Sequence, residues 1–443
     1  MKTSSPKQPK EELTALRGAL GRLPSLGVVA LALFVVLAPR SSLADDNPHG
    51  HGGAERLPTA DADQAPASSK VTPPSAPSDT VVKVKGEVSG YSDTDSVNVF
   101  TPAVEASVEN PVSGWSAGGS YLIDIVSAAS VDIVSTASNH WVETRHAATV
   151  SGGYKPSTVG VTAAGSVSRE PDYISWTGGG IVALELADKT ANPTFGYSYS
   201  HDTAGVKTTP FSVFSEKLQR HSLNGSIELI LDPATLVAFT VDGILERGAQ
   251  EKPYRYLPIF TAANAAEVPR GASVDQVKQK MTAATNENTP KSRNRFALSG
   301  RIAQRLAGST LILTERVYAD DWGLKASTTD LRFVVDASRR VFLWAHLRGH
   351  FQSGVSFWRR AYVGSPGGDP STYPKWRTGD REMSPLSAGT FGAGMRWNVG
   401  PQARMNQWSL VGQVDMLTTV FSDTLYIQNR QGYLGVLQVE AEF

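Results

Sequence analysis

The sequence predicts an all-β protein, a transmembrane antiparallel up-and-down β-barrel of about 16 strands within a range of roughly 14–18. Apolar and polar residues alternate with a period of two along most of the chain after residue 80, as in strands with two different faces. These runs last about 10–14 residues, and about 9–11 tilted residues cross a bilayer. Tight turns and longer connections follow each other in rotation, as the two rims of a membrane barrel require.

The alternation is clearest in RVFLWAHLRGHF, TLVAFTVDGILE and NRFALSGRIAQR, where every second residue is apolar or glycine. The same pattern, bounded by turn residues, recurs along the chain. It places strands at residues 80–92, 96–109, 113–125, 141–154, 157–169, 173–187, 192–203, 219–231, 234–247, 293–306, 309–321, 326–337, 340–352, 385–398, 407–422 and 430–443.

The longest connections are residues 248–292 and 353–384, which we expect on the extracellular side if both termini are periplasmic. Loops of this length either fold into the lumen or cover the mouth. The segment SVDQVKQKMTAAT predicts a short helix. Trp358 and Trp376 are expected to anchor the loops at the membrane boundary, where tryptophan is enriched.

The N-terminal segment predicts export. Five basic residues precede an apolar run from Leu26 to Ala38, and small residues follow it, which is the pattern of a cleaved signal peptide. The run is shorter than the ~20 residues of a spanning helix. We therefore predict a signal peptide at residues 1–44, a disordered periplasmic linker at 45–79, and the barrel at 80–443.

Composition excludes several classes of protein. The chain has no cysteine, which excludes disulfide scaffolds and thiolate metal sites. Its 42 basic and 42 acidic residues cancel, whereas a nucleic-acid partner would favour a basic excess.

The last strand predicts how the barrel closes. Its apolar set includes Tyr433, Leu437, Val439 and Phe443, and we expect these residues to face lipid. In lipid an open sheet edge leaves backbone groups unpaired, so the last strand is expected to pair with the first. The terminal phenylalanine resembles the C-terminal signal that the outer-membrane assembly machinery reads.

Charged residues of both signs fall on the face that we expect to line the lumen. One interpretation is a cross-barrel network of ion pairs that stiffens the interior. The other is a transverse field in a pore, with a basic wall that steers anionic solutes. The candidate pore-lining residues are Arg295, Arg301, Arg305, Arg316, Arg332, Arg348, Asp242, Glu246, Asp336, Asp415, Glu440 and Glu442.

No enzyme signature is present: the chain has no G-x-S-x-G, H-E-x-x-H or phosphate-loop motif. His346 and His350 are interpreted as hydrogen-bonded lumen residues rather than a base or a metal pair. The acid pairs in SREPDY and YADDWG are interpreted as solvated loop tips rather than sites for divalent cations that bridge lipopolysaccharide. We predict no catalytic residue, no metal site and no cofactor.

Several strings, in order, resemble an uncharacterised family of bacterial outer-membrane barrels, a domain of unknown function. They are SGYSDTDSVNVFTPAVE, YLIDIVSAASVD, SREPDYIS, KPYRYLPIF, YADDWGLKASTTDLRF and GDREMSPLSAGTFG. The resemblance implies a barrel fold and an outer-membrane location, and it implies no reaction.

The expected function is a passive, porin-like channel, because a barrel this wide cannot fill its centre with side chains. The alternative is a non-conducting surface barrel that acts in adhesion or binds lipopolysaccharide through its loops. A membrane-embedded hydrolase is a third, disfavoured hypothesis. The expected partners are outer-membrane lipid, lipopolysaccharide and the assembly machinery.

Overall fold

The computed structural model describes residues 80–128, 141–253, 255–399 and 407–443. The predicted signal peptide, the predicted linker and most of the turn predicted before the strand at 407–422 lie outside these residues. The elements below are numbered along the chain.

Sixteen antiparallel strands form one closed barrel, in which the last strand pairs with the first. The pairing follows chain order around the wall, so the topology is up-and-down. The barrel strands are β1 Val81–Asp93, β2 Val97–Asn110, β3 Trp115–Ala128, β4 Trp141–Tyr154, β5 Val159–Glu170, β6 Tyr173–Leu184, β7 Ala191–Ala204, β8 Glu216–Asp232, β9 Thr235–Gly248, β12 Ser292–Leu306, β13 Ser309–Asp320, β14 Lys325–Asp336, β15 Val341–Gln352, β17 Leu386–Val399, β18 Gln407–Phe421 and β19 Asn429–Glu442.

The predicted fold class is confirmed, and each of the 16 predicted strands corresponds to one barrel strand. No predicted strand end is displaced by more than three residues. This agreement has a physical basis, because a strand that separates lipid from the lumen must alternate along its whole length.

The outer wall is apolar. Aromatic side chains lie on it near the rim where the first barrel strand begins and the last one ends. Large hydrophobic residues remain exposed along all the barrel strands. Aromatic girdles of this kind lie at the boundary between acyl chains and headgroups. The exposed aromatic residues near that rim are Trp115, Tyr154, Trp397, Trp408 and Phe443.

The two long loops fold together into a small module that is separate from the barrel sheet. We call it the mouth module (residues 249–253, 255–291 and 353–385). It contains a three-stranded sheet of β10 Tyr256–Phe260, β11 Ala283–Asn286 and β16 Tyr362–Val363. It also contains helices α1 Ala262–Glu267 and α2 Val274–Lys280. The helix predicted in SVDQVKQKMTAAT is present in the first part of that segment, whereas its last residues belong to β11. Among the described residues, no helix is long and apolar enough to cross a membrane.

The mouth module has its own hydrophobic core. Phe260 and Ile259 are fully buried, and Val277 of α2 packs in the same cluster as Phe260. The helix begins at a capping box, in which Ser273 and Gln276 satisfy each other's backbone N–H groups. A loop with a buried core of this kind holds one conformation rather than many.

Candidate functional site: the lumen and its mouth

The mouth module crosses the opening of the barrel. Its first part leaves the wall between β9 and β12, yet the backbone N–H of Ala272 donates to the carbonyl of Leu425, between β18 and β19, at 2.7 Å. These two points are six strands apart around the wall. Because the barrel is closed, a chain that joins them forms a chord over the mouth. The expectation that these loops cover the mouth or fold into the lumen stays a prediction.

A second part of the module is held on the same side of the rim as Leu425. Arg381, between β15 and β17, forms a buried ion pair with Asp95, in the turn between β1 and β2. Arg430 of β19 pairs with Glu382 at 3.3 Å. The guanidinium groups of Arg381 and Arg430 both lie over the ring of Phe421. These contacts tie the module to four neighbouring strands of the wall.

Trp358 does not anchor the loop in lipid, so that expectation is wrong for this residue. Its side chain is buried against Trp322, Leu324 and Val355. The indole N–H donates to the carbonyl of Asp423 at 3.0 Å. Burial of a tryptophan requires such a partner, and here the partner lies in another loop of the rim.

Inside the module, Arg255 joins two carboxylates that the chain places far apart. It pairs with Asp380 at 2.8 Å and with Glu287 at 3.4 Å. Burial alone would raise the pKa of Asp380, but the charges of Arg255 and Lys252 and a backbone N–H bond from Glu382 hold that pKa well below its usual range. Asp380 therefore stays ionised and links the two long loops electrostatically.

Below the module, three charged side chains of β8, β9 and β12 form a buried cluster on the inner wall. Arg220 donates to Glu246 at 3.0 Å, and Arg295 pairs with the other oxygen of Glu246 at 2.9 Å. Asp202 lies 3.6 Å from Arg220. The side chains of Arg220 and Glu246 are 3% and 1% exposed. Sequence reasoning placed Arg295 and Glu246 on the lumen face, but it did not single out Arg220 or Asp202.

Asp320 is not a solvated loop tip, so that expectation is wrong for this residue. Its carboxylate is fully buried, pairs with Arg293 at the outer end of β12 and accepts from Tyr318 at 2.8 Å. It also accepts from the backbone N–H of Leu324 at 3.0 Å. The pair of acids in YADDWG therefore terminates a strand and orders the turn after it.

Further ion pairs follow the inner wall. Arg316 pairs with Asp242 at 2.5 Å across the intervening strand β12. Arg305 pairs with Asp336, and Arg396 pairs with Glu440. Each of these pairs joins strands that are separated by one strand in the wall. The network therefore runs along the wall, whereas the sequence-based interpretation placed it across the barrel.

A polar cluster surrounds His346 on β15. Its Nε2 lies 2.9 Å from Asp330 on β14, and its Nδ1 lies 3.4 Å from Asp415 on β18. Asp415 also accepts from Gln413 at 2.6 Å, and Trp344 donates its indole N–H to Gln413 at 3.2 Å.

Two glycines of β17 make the His346 cluster possible. Gly392 is the strand partner of both His346 and Asp415, and Gly394 is the partner of both Trp344 and Gln413. A Cβ atom at either glycine would overlap the Asp415 carboxylate or the Trp344 ring. The glycines thus form a shelf over which side chains of β15 and β18 meet. His350 makes separate bonds, with Thr328 and Gln352.

Three carboxylates meet at the outer rim near β4 and β5. Oxygen atoms of Glu143, Glu170 and Asp172 lie within 4.8 Å of one another, and Glu143 and Asp172 are buried. Hard cations prefer such oxygen sets, so this is a metal-competent group within the described part of the chain. Asp172 is therefore not the solvated loop tip that the sequence suggested.

The remaining candidate residues also fall on the inner face by strand alternation. Arg301, Arg332 and Arg348 lie on β12, β14 and β15, and Glu442 ends β19. Their role as pore-lining residues remains a prediction.

The closure residues lie where the barrel seals. Leu437 and Val439 are strand partners of Val88 and Gly86 on β1. Tyr433, Leu437, Val439 and Phe443 are all exposed on the outer wall. Phe443 exchanges two backbone hydrogen bonds with Val82, at 2.9 and 3.0 Å, and its ring meets Trp408 edge-on. Their role as an assembly signal remains a prediction.

On the inner faces of the described strands, positive and negative side chains are concentrated on different sides of the barrel. Five strands, β12 to β15 and β17, carry eight arginines and three carboxylates; β1 to β9 carry at least a dozen carboxylates and four cations. The first group comprises Arg293, Arg295, Arg301, Arg305, Arg316, Arg332, Arg348, Arg396, Asp320, Asp330 and Asp336. The second comprises Glu87, Asp93, Glu105, Glu109, Asp124, Glu143, Glu170, Asp202, Glu216, Glu228, Asp242, Glu246, Lys83, Lys85, Arg145 and Arg220.

Similar solved structures include proteins of two bacteria. OccK5 (OpdH) of Pseudomonas aeruginosa is 6% identical, with a TM-score of 0.39, 82% of this chain covered and 98% of that chain covered. OccAB1 of Acinetobacter baumannii is 10% identical, with a TM-score of 0.36, 83% of this chain covered and 97% of that chain covered. The siderophore receptor PirA of Acinetobacter baumannii is 9% identical, with a TM-score of 0.37, 82% of this chain covered and 58% of that chain covered. No curated protein matches the chain.

The resemblance to an uncharacterised family is confirmed by a family model. The model described as "Protein of unknown function (DUF3570)" matches residues 212–440, which is just over half of the chain. That segment runs from the start of β8 into β19 and includes the mouth module and the His346 cluster. The protein belongs to the DUF3570 family.

Proposed function

We propose that the protein is a channel of the bacterial outer membrane that passes small polar solutes beneath a folded mouth module. The observation that carries this proposal is the separation of charge across the inner wall. Rows of opposite charge on facing walls orient a dipolar solute or its hydration water and lower the cost of its passage.

Barrel size supports the same function. Eight strands enclose a space that side chains fill, whereas sixteen-stranded barrels of this type leave an aqueous path. The ion pairs described above lie along the wall and between nearby strands, so they stiffen it without having to span the lumen. A polar inner surface and an apolar outer wall together favour insertion into an outer membrane, in contact with its lipids and its assembly machinery.

Ion selectivity in planar bilayers tests this function. The purified mature barrel is expected to give ohmic steps. Replacing two arginines of the basic wall, Arg301→Gln with Arg348→Gln, removes positive charge from the lumen, so the reversal potential in a salt gradient is expected to move toward cation preference.

The matched control removes charge from the opposite wall. Glu105→Gln with Glu109→Gln is expected to move the reversal potential in the other direction. Silence of the folded wild-type barrel at high protein load would contradict a channel, and so would reversal potentials that neither pair of substitutions changes.

A second candidate is a non-conducting surface barrel that acts through its loops. The buried core of the mouth module favours it, because an ordered loop surface suits recognition of a ligand. The bilayer experiment separates the two, since this candidate requires a folded barrel without conductance.

A further inference from the structure

The outer wall carries a cluster of cations at one side of the extracellular rim. By strand alternation, Arg169 of β5, Lys217 of β8 and Arg247 of β9 point away from the lumen. Each lies one residue from the extracellular end of its strand. His146, His201 and His221 face the same way on β4, β7 and β8. We call these six residues the basic band.

Strand register brings the members of the basic band together. His146 is the direct partner of Arg169, which forms one group on β4 and β5. On β7 to β9, Gln219 is the partner of both His201 and Arg247. Direct partners such as His146 and Arg169 lie about 5 Å apart at their Cβ atoms, and Lys217 is a diagonal neighbour of both His201 and Arg247 at about 7–8 Å. Long side chains reach across these distances, so each group can hold one anion.

An aromatic residue separates the two groups. Trp176 of β6 is 61% exposed, and its strand partners are Val167 and His201. The distance from β5 to β8 is three strand spacings, or roughly 14 Å. The band therefore presents two cationic groups on either side of an indole that suits contact with a sugar ring.

Two histidines of the band are held by tyrosines of the same wall. The hydroxyl of Tyr121 lies 2.7 Å from Nδ1 of His146, and that of Tyr197 lies 2.9 Å from Nδ1 of His221. When the hydroxyl donates to Nδ1, the hydrogen of the neutral ring is on Nε2. Each ring then offers a donor to a ligand on the outer wall.

Most outward-facing charge of the described barrel strands belongs to the basic band. On the outward faces of the described barrel strands, Lys325 is the one further cation and Glu315 the one carboxylate, and both lie on other strands. Glu315 accepts from Ser327 and Thr329. At the rim, Asp321 accepts from Asn294, and Asn294 in turn accepts from Arg247. Below the band, exposed Val150, Leu223 and Leu245 continue as an apolar surface.

We propose that the basic band binds the headgroup of a phosphorylated glycolipid in the outer leaflet, with one phosphate on each cationic group and the acyl chains on the apolar wall below. The recognised chemistry is a sugar headgroup that carries phosphate at both ends. Arginine and lysine near a membrane surface attract such anionic headgroups. Three of the four rim acids that the sequence had offered for a cation-bridged contact take no part, because Glu170 and Asp320 lie on inward positions of β5 and β13 and Asp172 is buried beside Glu170.

Binding of bisphosphorylated lipid A to the full mature barrel, by native mass spectrometry in zwitterionic detergent, tests the proposal. The triple variant Arg169→Gln, Lys217→Gln, Arg247→Gln is expected to bind it roughly a hundredfold more weakly, from the usual contribution of each cation at an anionic surface. Lys325→Gln, which removes an outward cation outside the band, is the matched control and is expected to bind like the wild type.

Further ligands identify the recognised chemistry. Lipid A without phosphates is expected to bind as weakly as the triple variant binds lipid A. Inorganic phosphate and phosphatidylglycerol are both expected to bind more weakly than lipid A, because neither joins two phosphates through a disaccharide. Equal affinity for either one overturns the proposal in favour of a free anion or a general anionic lipid surface.

Two other results would overturn it: a triple variant with wild-type affinity, or a Lys325→Gln variant that loses as much. A heat-modifiable shift on gels shows that each variant is folded. If the triple variant does not fold, the affinity for lipid A is measured with single variants at Arg169 and Lys217 instead. Conductance is not part of the readout, so failure of the channel function and failure of this proposal are distinguishable.

Discussion

At the scale of single residues, close packing of the inner wall depends on glycines where large polar side chains meet. Gly394 lies directly under the Trp344 ring, and Gly392 lies under the Asp415 carboxylate. In the sequence these glycines are part of a strand, GTFGAGMRW. The alternation does not indicate over which of them the side chain of a neighbouring strand lies. Their role follows from the register with β15 and β18.

Gly394→Ala is expected to destabilise the barrel by about 1–3 kcal/mol, which is typical of overpacking a rigid neighbour. The added methyl group overlaps the Trp344 ring, so the indole must move and lose its bond to Gln413. Denaturant unfolding in detergent micelles measures the loss. Gly412→Ala is the control, because a Cβ there meets nothing within 4 Å; equal stability of the two variants would refute the packing role.

At the scale of elements, the mouth module is a small folded unit with hydrogen-bonded polar groups in its core. Tyr362 of β16 is buried, accepts from the backbone N–H of Thr378 at 2.9 Å and donates to nearby carbonyls. Burial raises the pKa of Tyr362 to about 12. The sequence predicted one helix of this unit and the position of both loops. The sheet, however, pairs Ile259 with Tyr362, which is 103 residues further along the chain, and no local pattern reveals this pairing.

Alkaline pH is expected to loosen the mouth module. An unfolded tyrosine has a pKa of about 10, and the folded value is raised, so the contribution of Tyr362 to stability is complete below pH 10 and is lost as pH rises toward 12. Subtilisin cleavage within residues 353–385 should therefore increase between pH 9 and pH 11 in the wild type.

Substitutions identify the group that titrates. Tyr362→Phe cannot ionise and should show cleavage that depends less on pH, from a higher starting level because its hydrogen bonds are gone. Tyr256→Phe removes an exposed tyrosine from the same sheet and should behave as the wild type. If the pH dependence survives in Tyr362→Phe, another group controls the module.

At the scale of the whole molecule, the barrel closes through a seam in which the last strand meets the first. Eleven residue pairs join β1 to β19, from Lys83 and Glu442 to Asp93 and Gly432. Closure pairs the backbone of the two edge strands with each other, as a lipid environment requires. Charge separation in the lumen and the mouth module both depend on this closure, because it places strands distant in sequence face to face.

Phe443→Ala is expected to lower barrel stability by about 1 kcal/mol through loss of the edge-to-face contact with Trp408. If the terminal residue also acts as an assembly signal, the folded, heat-modifiable fraction in cells falls further than this loss explains. Phe391→Ala removes another exposed phenylalanine of the outer wall and serves as the control. Equal membrane yields of the two variants would exclude an assembly role for Phe443.

The sequence by itself determined the strands, their count, the inner and outer faces and the positions of the long loops. These features depend on a period of two that the contrast between lipid and water imposes on every strand separately. The tertiary structure decided what faces what: the chord of the module over the mouth, the pairing of Arg220 with Glu246, the shelf under His346 and the basic band. Each of these joins residues from different strands, and register and closure, rather than local alternation, set those distances.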